Sequence, residues 1–217
     1  MSDFAQQRRM MVDGQLRTYD VTDPSVIAAM GSVPRERFVA DPATAYSDRP
    51  VAMAAGAARR MMTPMVFARL VQGAAPRPDE AALVVGAGTG YGAAVVARMA
   101  RSVVALESNP ALASAAKKTL ADLGTSNVTV VEGPLKAGHP IGAPYAVILV
   151  EGSIDVEPGE LLKQLAPGGR LACVVGRGRA ARAVLYTRSG DVVGQRTVTE
   201  AAAPPLEEFA ATREFVF

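Results

Sequence analysis

Four glycines within seven residues, Gly86-Ala87-Gly88-Thr89-Gly90-Tyr91-Gly92, follow directly on the apolar run 82–85 and lead into a helical stretch at 93–99. No other feature restricts the possible folds as much. A strand that ends in backbone stripped of side chains and turns at once into a helix offers free N–H groups to an anion or polar ligand at close range. Such a turn belongs to α/β architecture, and the rest of the chain agrees. Short valine-rich runs recur at 103–106, 128–131, 147–150 and 171–175, most of them separated by helical stretches. Continuous apolar runs of this length are the pattern of parallel strands covered on both faces. The clearest helix spans 110–123: Pro110 follows Asn109, one face carries Leu112, Ala115, Ala116, Thr119, Leu120 and Leu123, and Gly124 stops it. Runs 183–188 and 192–198 around Ser189-Gly190-Asp191 read as an antiparallel hairpin. Residues 214–217 read as a last strand or strand extension.

The expected fold is therefore α/β, a doubly wound, mostly parallel seven-stranded sheet with a C-terminal antiparallel hairpin and an N-terminal helical extension. Residues 1–80 form the extension, on the substrate side, and 81–217 form a Rossmann-like ligand-binding domain, the two making one compact unit. In the extension, Asp23-Pro24 places a capping residue before a proline at the first helical position, opening a short helix through Val26, Ile27 and Met30. The alanine-rich stretch 51–58 has no assignable pattern. The segment 75–80, with Pro76 and Pro78, reads as a linker.

Composition removes several kinds of chemistry. Apolar residues are 49% and charged residues 20% of the chain, as in a packed globular fold and unlike a disordered one. With 23 basic and 21 acidic residues the net charge is +2, which gives no electrostatic reason to expect nucleic acid or an acidic membrane as a partner. A single cysteine, Cys173, and a single histidine, His139, leave no material for a disulfide framework or a Cys/His metal cluster, and no Gly-x-Ser-x-Gly elbow is present. The first nine residues lack the apolar stretch of a signal peptide, and no run of about 18 apolar residues follows, so the expected location is the cytoplasm. Basic residues that are nearly all arginine suggest a GC-rich bacterial genome.

The glycine spacing distinguishes among ligands. Dinucleotide sites use Gly-x-Gly-x-x-Gly, whose third glycine lets helix and strand pack. Here the third glycine comes one position early, at Gly90, and bulky Tyr91 stands at the dinucleotide position. The resulting Gly-x-Gly-x-Gly is the form of S-adenosylmethionine sites, where the turn wraps an amino acid and a ribose instead of a pyrophosphate. No Gly-Lys-Ser/Thr follows, which excludes a phosphate-binding loop. Glu107 ends the second strand 21 residues after Gly86, where a carboxylate accepts both ribose hydroxyls of a nucleoside; its other role would be to cap the next helix. The candidate cofactor contacts are Gly86, Ala87, Gly88, Thr89, Gly90, Glu107, Ser108, Glu132 and Gly133.

Taken together, the chain resembles the protein-L-isoaspartate O-methyltransferase family over nearly its whole length. The most specific part is N-terminal: Arg9-Met10-Met11-Val12, Gln15-Leu16-Arg17, Val26-Ile27-Ala28-Ala29-Met30, Val33-Pro34-Arg35-Glu36-Arg37-Phe38-Val39 and Ala45-Tyr46-Ser47-Asp48. Later landmarks are Gly88-Thr89-Gly90-Tyr91, Asn127-Val128, Ala143-Pro144-Tyr145 and Leu165-Ala166-Pro167-Gly168-Gly169-Arg170-Leu171. The resemblance implies methyl transfer from S-adenosylmethionine to the misplaced α-carboxylate of an isoaspartyl residue in a damaged protein. The ester then closes to a succinimide that reopens partly to normal aspartate, a repair reaction. A carboxylic acid of ordinary pKa about 3.9 is already ionised at neutral pH, so this chemistry requires no histidine base.

Four positions depart from the family pattern. Val84, two residues before Gly86, replaces an acid. Pro134-Leu135 replaces the acid-glycine that reaches the adenine, with Glu132 nearby in partial compensation. Ala146 replaces an aspartate, and Glu151-Gly152-Ser153 replaces small residues. Lastly, the family's Thr-x-Ser-x-Pro, whose hydroxyl positions the isoaspartyl group, reads Arg60-Met61-Met62-Thr63-Pro64, so the serine has become Met62. Methionine cannot donate a hydrogen bond to a carboxylate. Thr63 and an arginine of the Arg59-Arg60 pair, Arg60 first, are the candidate replacements, since guanidinium grips carboxylate through two parallel hydrogen bonds. The alternatives to an isoaspartyl methyltransferase are a non-catalytic relic that binds nucleoside or protein, and a methyltransferase for another carboxylate.

Overall fold

A computed structural model describes residues 3–55 and 58–211. In chain order the helices are α1 (Phe4–Met11), α2 (Pro24–Ser32), α3 (Pro64–Ala74), α4 (Tyr91–Val96), α5 (Pro110–Asp122) and α6 (Gly159–Leu162). The strands are β1 (Val51–Ala52), β2 (Arg60–Met61), β3 (Ala81–Val85), β4 (Ser102–Glu107), β5 (Val128–Glu132), β6 (Tyr145–Ile154), β7 (Leu165–Val175), β8 (Arg182–Ser189) and β9 (Val192–Glu200). Among the described residues no helix is long and apolar enough to cross a membrane.

The main sheet has seven strands in the order β5-β4-β3-β6-β7-β8-β9. β5 through β7 run parallel, and β8 and β9 add antiparallel pairings. Alternation along β3 explains the two covered faces: Ala82 and Val84 point into one apolar cluster, Leu83 and Val85 into the other. The first cluster takes in Met11, Met30, Phe67 and Leu112, so the N-terminal helices share a core with the sheet. The second is closed by Leu161, Leu162, Leu206 and Phe209.

Local chemistry sets the element ends. The Asp23 carboxylate accepts the N–H groups of Ser25 and Val26 at 2.7 and 3.2 Å, starting α2 at Pro24. Asn109 does the same for α5 through Ala111 and Leu112, and Gly124 follows at φ +64°. Helix α4 differs from expectation by starting at Tyr91 and ending at Val96, because the glycine turn itself supplies its first bonds, such as Ala94 N–H to the Gly90 carbonyl at 2.9 Å. Strands β6 and β7 run longer than their apolar runs, since paired backbone continues past the point where valines stop. The linker 75–80 is pinned: Arg170 donates to the Ala74 and Ala75 carbonyls and to both oxygens of Glu80, at 2.6 to 2.9 Å. The patternless stretch 51–58 contributes β1, which pairs antiparallel with β2 just beyond it. The strand expected at 214–217 lies outside the described residues.

Candidate functional site

The chain leaves β3 for β4 on one side and returns to β6 on the other, so the carboxyl ends of these three strands meet at the point where the sheet order reverses. Ligands of open α/β sheets bind at that point. Three features of this sequence arrive there: the glycine turn after β3, Glu107 at the end of β4, and Glu151 near the end of β6.

The turn is held by the Gly86 and Ala87 N–H groups, which donate to the Leu106 carbonyl at 2.9 and 3.0 Å. Gly88 has φ +57° and lies against Met53, so a side chain there would be strained and would collide with that thioether. Gly90 takes φ +97° to open α4, and a Cβ on it would stand 3.2 Å from Ala116 and Leu120. Buried Thr89 donates its hydroxyl to the Phe38 carbonyl, tying the turn to the N-terminal extension.

Glu107 has no exposed side-chain surface. One carboxylate oxygen accepts the Gly88 N–H at 2.7 Å; the other accepts those of Ser108 and Asn109 at 3.0 and 2.9 Å. Helix capping falls to Asn109, while Glu107 reaches across to the turn. Arg59 completes its surroundings, with guanidinium nitrogens 3.4 and 3.5 Å from the two oxygens and a 2.9 Å bond to the Gly86 carbonyl. Residue Leu206, from the C-terminal segment, packs over Gly86 and Gly152.

Glu151 is buried, and its Oε1 has no hydrogen-bond partner. That oxygen presses against Gly92 in the first turn of α4, so closely that a Cβ on Gly92 would overlap it. Burial pushes the carboxyl up to about 8; Arg59 and Arg35 pull it down, and Glu107 pushes it further up. Arg35 is fully buried, donates to the Ala45 and Met62 carbonyls at 2.8 and 2.6 Å, and lies 4.6 Å over the Tyr91 ring.

The other expected site residues are dispersed. Glu132, register partner of Glu107, is half exposed and pairs with Lys117 of α5 at 2.9 Å. The Gly133 N–H donates to the Glu107 carbonyl at 3.1 Å. Ser108 is exposed. Thr63 caps α3 by accepting the Val66 N–H at 3.4 Å, and borders a groove of about 630 Å³ with Asp48, Met65, Arg179 and Glu200. Arg60 is exposed on β2 and borders a different depression, with Asp41 and Arg49, while its neighbour Arg59 faces Glu107. Arg59 lies just before β2 and Arg60 begins it, and the two face different surroundings. Met62 is buried. Glu151 had a signal in the sequence, as the one charge in the apolar stretch 145–154; Arg35 was marked only as part of the N-terminal stretch that carries the family resemblance, with no site role.

These residues fit S-adenosylmethionine. Gly88 takes a φ that disfavours any side chain, Glu107 is a fully buried acceptor pair, and the unpartnered oxygen of Glu151 adds a second acidic group nearby. Comparison with known proteins agrees. The family described as protein-L-isoaspartate(D-aspartate) O-methyltransferase matches residues 6–207. A protein-L-isoaspartate O-methyltransferase of Methanoregula boonei is 39% identical over 203 residues, covering 92% of each chain. A solved protein-L-isoaspartate O-methyltransferase superposes with a TM-score of 0.80 at 25% identity, over 92% of this chain and 65% of that one. A Plasmodium falciparum structure in complex with S-adenosyl-L-homocysteine shares the fold, with a TM-score of 0.77 at 18% identity over 93% of this chain and 98% of that one.

Proposed function

The chain belongs to the protein-L-isoaspartate(D-aspartate) O-methyltransferase family, and we propose that it methylates the α-carboxylate of isoaspartyl residues in damaged proteins, using S-adenosylmethionine, as a repair enzyme of the cytoplasm. The observation that carries this reading is the buried carboxylate of Glu107 bonded to the Gly88 N–H of the glycine turn at the sheet's reversal point. When bound, S-adenosylmethionine supplies a methyl group on a sulfonium, a good leaving group. Glu107 would hold its ribose hydroxyls, and the turn at Gly86–Gly90 would offer it backbone N–H groups.

The acceptor arrives already ionised, so the protein has only to place it and keep water out, an effect that contributes several kcal/mol. Thr63 is the proposed hydroxyl donor to the acceptor: its cap bond uses only an oxygen lone pair, leaving the O–H free. Arg60, on the outer side of the ribbon, contacts the flanking polypeptide in this reading. Transfer of labelled methyl to an isoaspartyl peptide, with the normal aspartyl peptide as control, tests the proposal. Label on the isoaspartyl peptide alone supports it, and label on neither rejects it.

A further inference from the structure

The short 3-10 helix Arg35–Phe38 carries two buried side chains three residues apart, and in such a helix positions i and i+3 face the same way. Both meet Tyr91, the first residue of α4. The Phe38 ring stands edge-on to the Tyr91 ring at 5.7 Å, and the Arg35 guanidinium lies 4.6 Å from its centre. A guanidinium taken wholly out of water is costly unless its N–H groups find acceptors. Arg35 donates from Nε to the Ala45 carbonyl at 2.8 Å and from Nη2 to the Met62 carbonyl at 2.6 Å. These carbonyls belong to different segments. Ala45 leads to Asp48 and Met62 leads to Thr63, and Asp48 and Thr63 border the same groove of about 630 Å³. One planar fork therefore ties two lining segments of the groove to each other and, through Tyr91, to the helix that follows the glycine turn. An apolar side chain could fill this space, but it could not fix both carbonyls.

We infer that Arg35 is a positioning residue for methyl transfer, holding the Thr63 hydroxyl at a fixed place relative to the glycine turn without touching the acceptor itself. This rests on the reading of Thr63 and the turn as the acceptor and cofactor sides of one site. Lysine, a point charge on a flexible stem, cannot hold two carbonyls in a fixed fork. A misplacement of about 1 Å caused away from the reacting atoms costs transfer on the order of 100-fold.

Methyl transfer to an isoaspartyl peptide, measured in the wild type, Arg35→Lys, Thr63→Ala and the double variant, tests this, with the affinity of each protein for S-adenosylhomocysteine read by calorimetry. Arg35→Lys is expected to lower kcat on the order of 100-fold. Its Kd for S-adenosylhomocysteine is expected to stay within about threefold of the wild type, because the Leu106 carbonyl and Glu107 hold the turn. In the Thr63→Ala background the same change is expected to cost less than about tenfold, since its effect passes through the missing hydroxyl. Equal losses in both backgrounds overturn the inference, because a role in folding alone does not depend on Thr63. Wild-type kcat in Arg35→Lys overturns it as well. Should Arg35→Lys fail to fold, Tyr91→Leu keeps the arginine and removes the ring beneath it. That variant is expected to lose about tenfold in kcat with Thr63 present and less than about threefold without it, and equal losses again overturn the inference. A wild type that binds S-adenosylhomocysteine but labels neither the isoaspartyl nor the aspartyl peptide rejects the proposed function and this inference with it; equal losses in the two backgrounds reject Arg35 alone.

Discussion

Glu151 costs the fold stability at neutral pH. A carboxyl held up to about 8 by burial is protonated in the native state and ionised in the unfolded chain between its ordinary value and 8. Raising the pH across that window favours unfolding, so its contribution is complete below the ordinary carboxylate range and is lost as pH climbs towards 8. Urea unfolding at pH 5 and pH 8 should show the wild type weakened at the higher pH by a few kcal/mol on this account, and Glu151→Gln should remove most of that loss. Arg59 and Arg60 form a second contrast at this scale. Arg59→Ala leaves Glu107 buried without its cation and uncovers the turn, and calorimetry should show its affinity for S-adenosylhomocysteine changed severalfold in either direction. Arg60→Ala should leave that affinity within about twofold, because its exposed side chain borders another depression. Local patterning marked both arginines as candidates, and only the path of the ribbon decided which one faces the acid.

Among the elements, the short helix α4 shows how a local preference is overruled. Alanine is the better helix former, so replacing Gly92 within Tyr91–Val96 would ordinarily stabilise by about 1 kcal/mol. Here the added methyl overlaps the Glu151 carboxylate, and Gly92→Ala should destabilise by 1–3 kcal/mol, about the penalty of overpacking a core. In a double-mutant cycle with Glu151→Gly the loss should vanish, leaving a coupling above about 1 kcal/mol; additive effects would show that the two do not touch. By contrast, α5 follows its sequence closely. Asn109, Pro110, the buried Leu112, Ala116 and Leu120, and Gly124 each stand where their chemistry predicts, because capping and one-sided burial act within a few residues.

Across the whole molecule, the N-terminal extension and the sheet meet in one apolar cluster, and the turn that joins them is fastened by Arg170. Arg170→Ala strands the nearly buried Glu80 carboxylate and two carbonyls, and should lower stability by about 2–3 kcal/mol, read as a drop in Tm of several degrees. Ligand linkage works in the opposite direction. S-adenosylhomocysteine at about 100 times its Kd adds about 2.7 kcal/mol, and the accompanying rise in Tm should disappear in Glu107→Ala.

By itself, the amino-acid order determined the seven strands and the face of α5. It also determined the side-chain-free turn and the acid 21 residues beyond it. Each of these arises from periodicity, capping or glycine conformation, effects whose range is a few residues. What only the tertiary structure decided is which polar groups stand together out of water: Glu151 beside Gly92, Arg59 over Glu107, Arg35 on Tyr91, and Glu132 turned to Lys117. Those pairs join residues from 15 to 59 positions apart in the chain, brought together by the crossovers of the sheet. The ionisation of a buried carboxyl depends on those distant neighbours, and no local pattern encodes them.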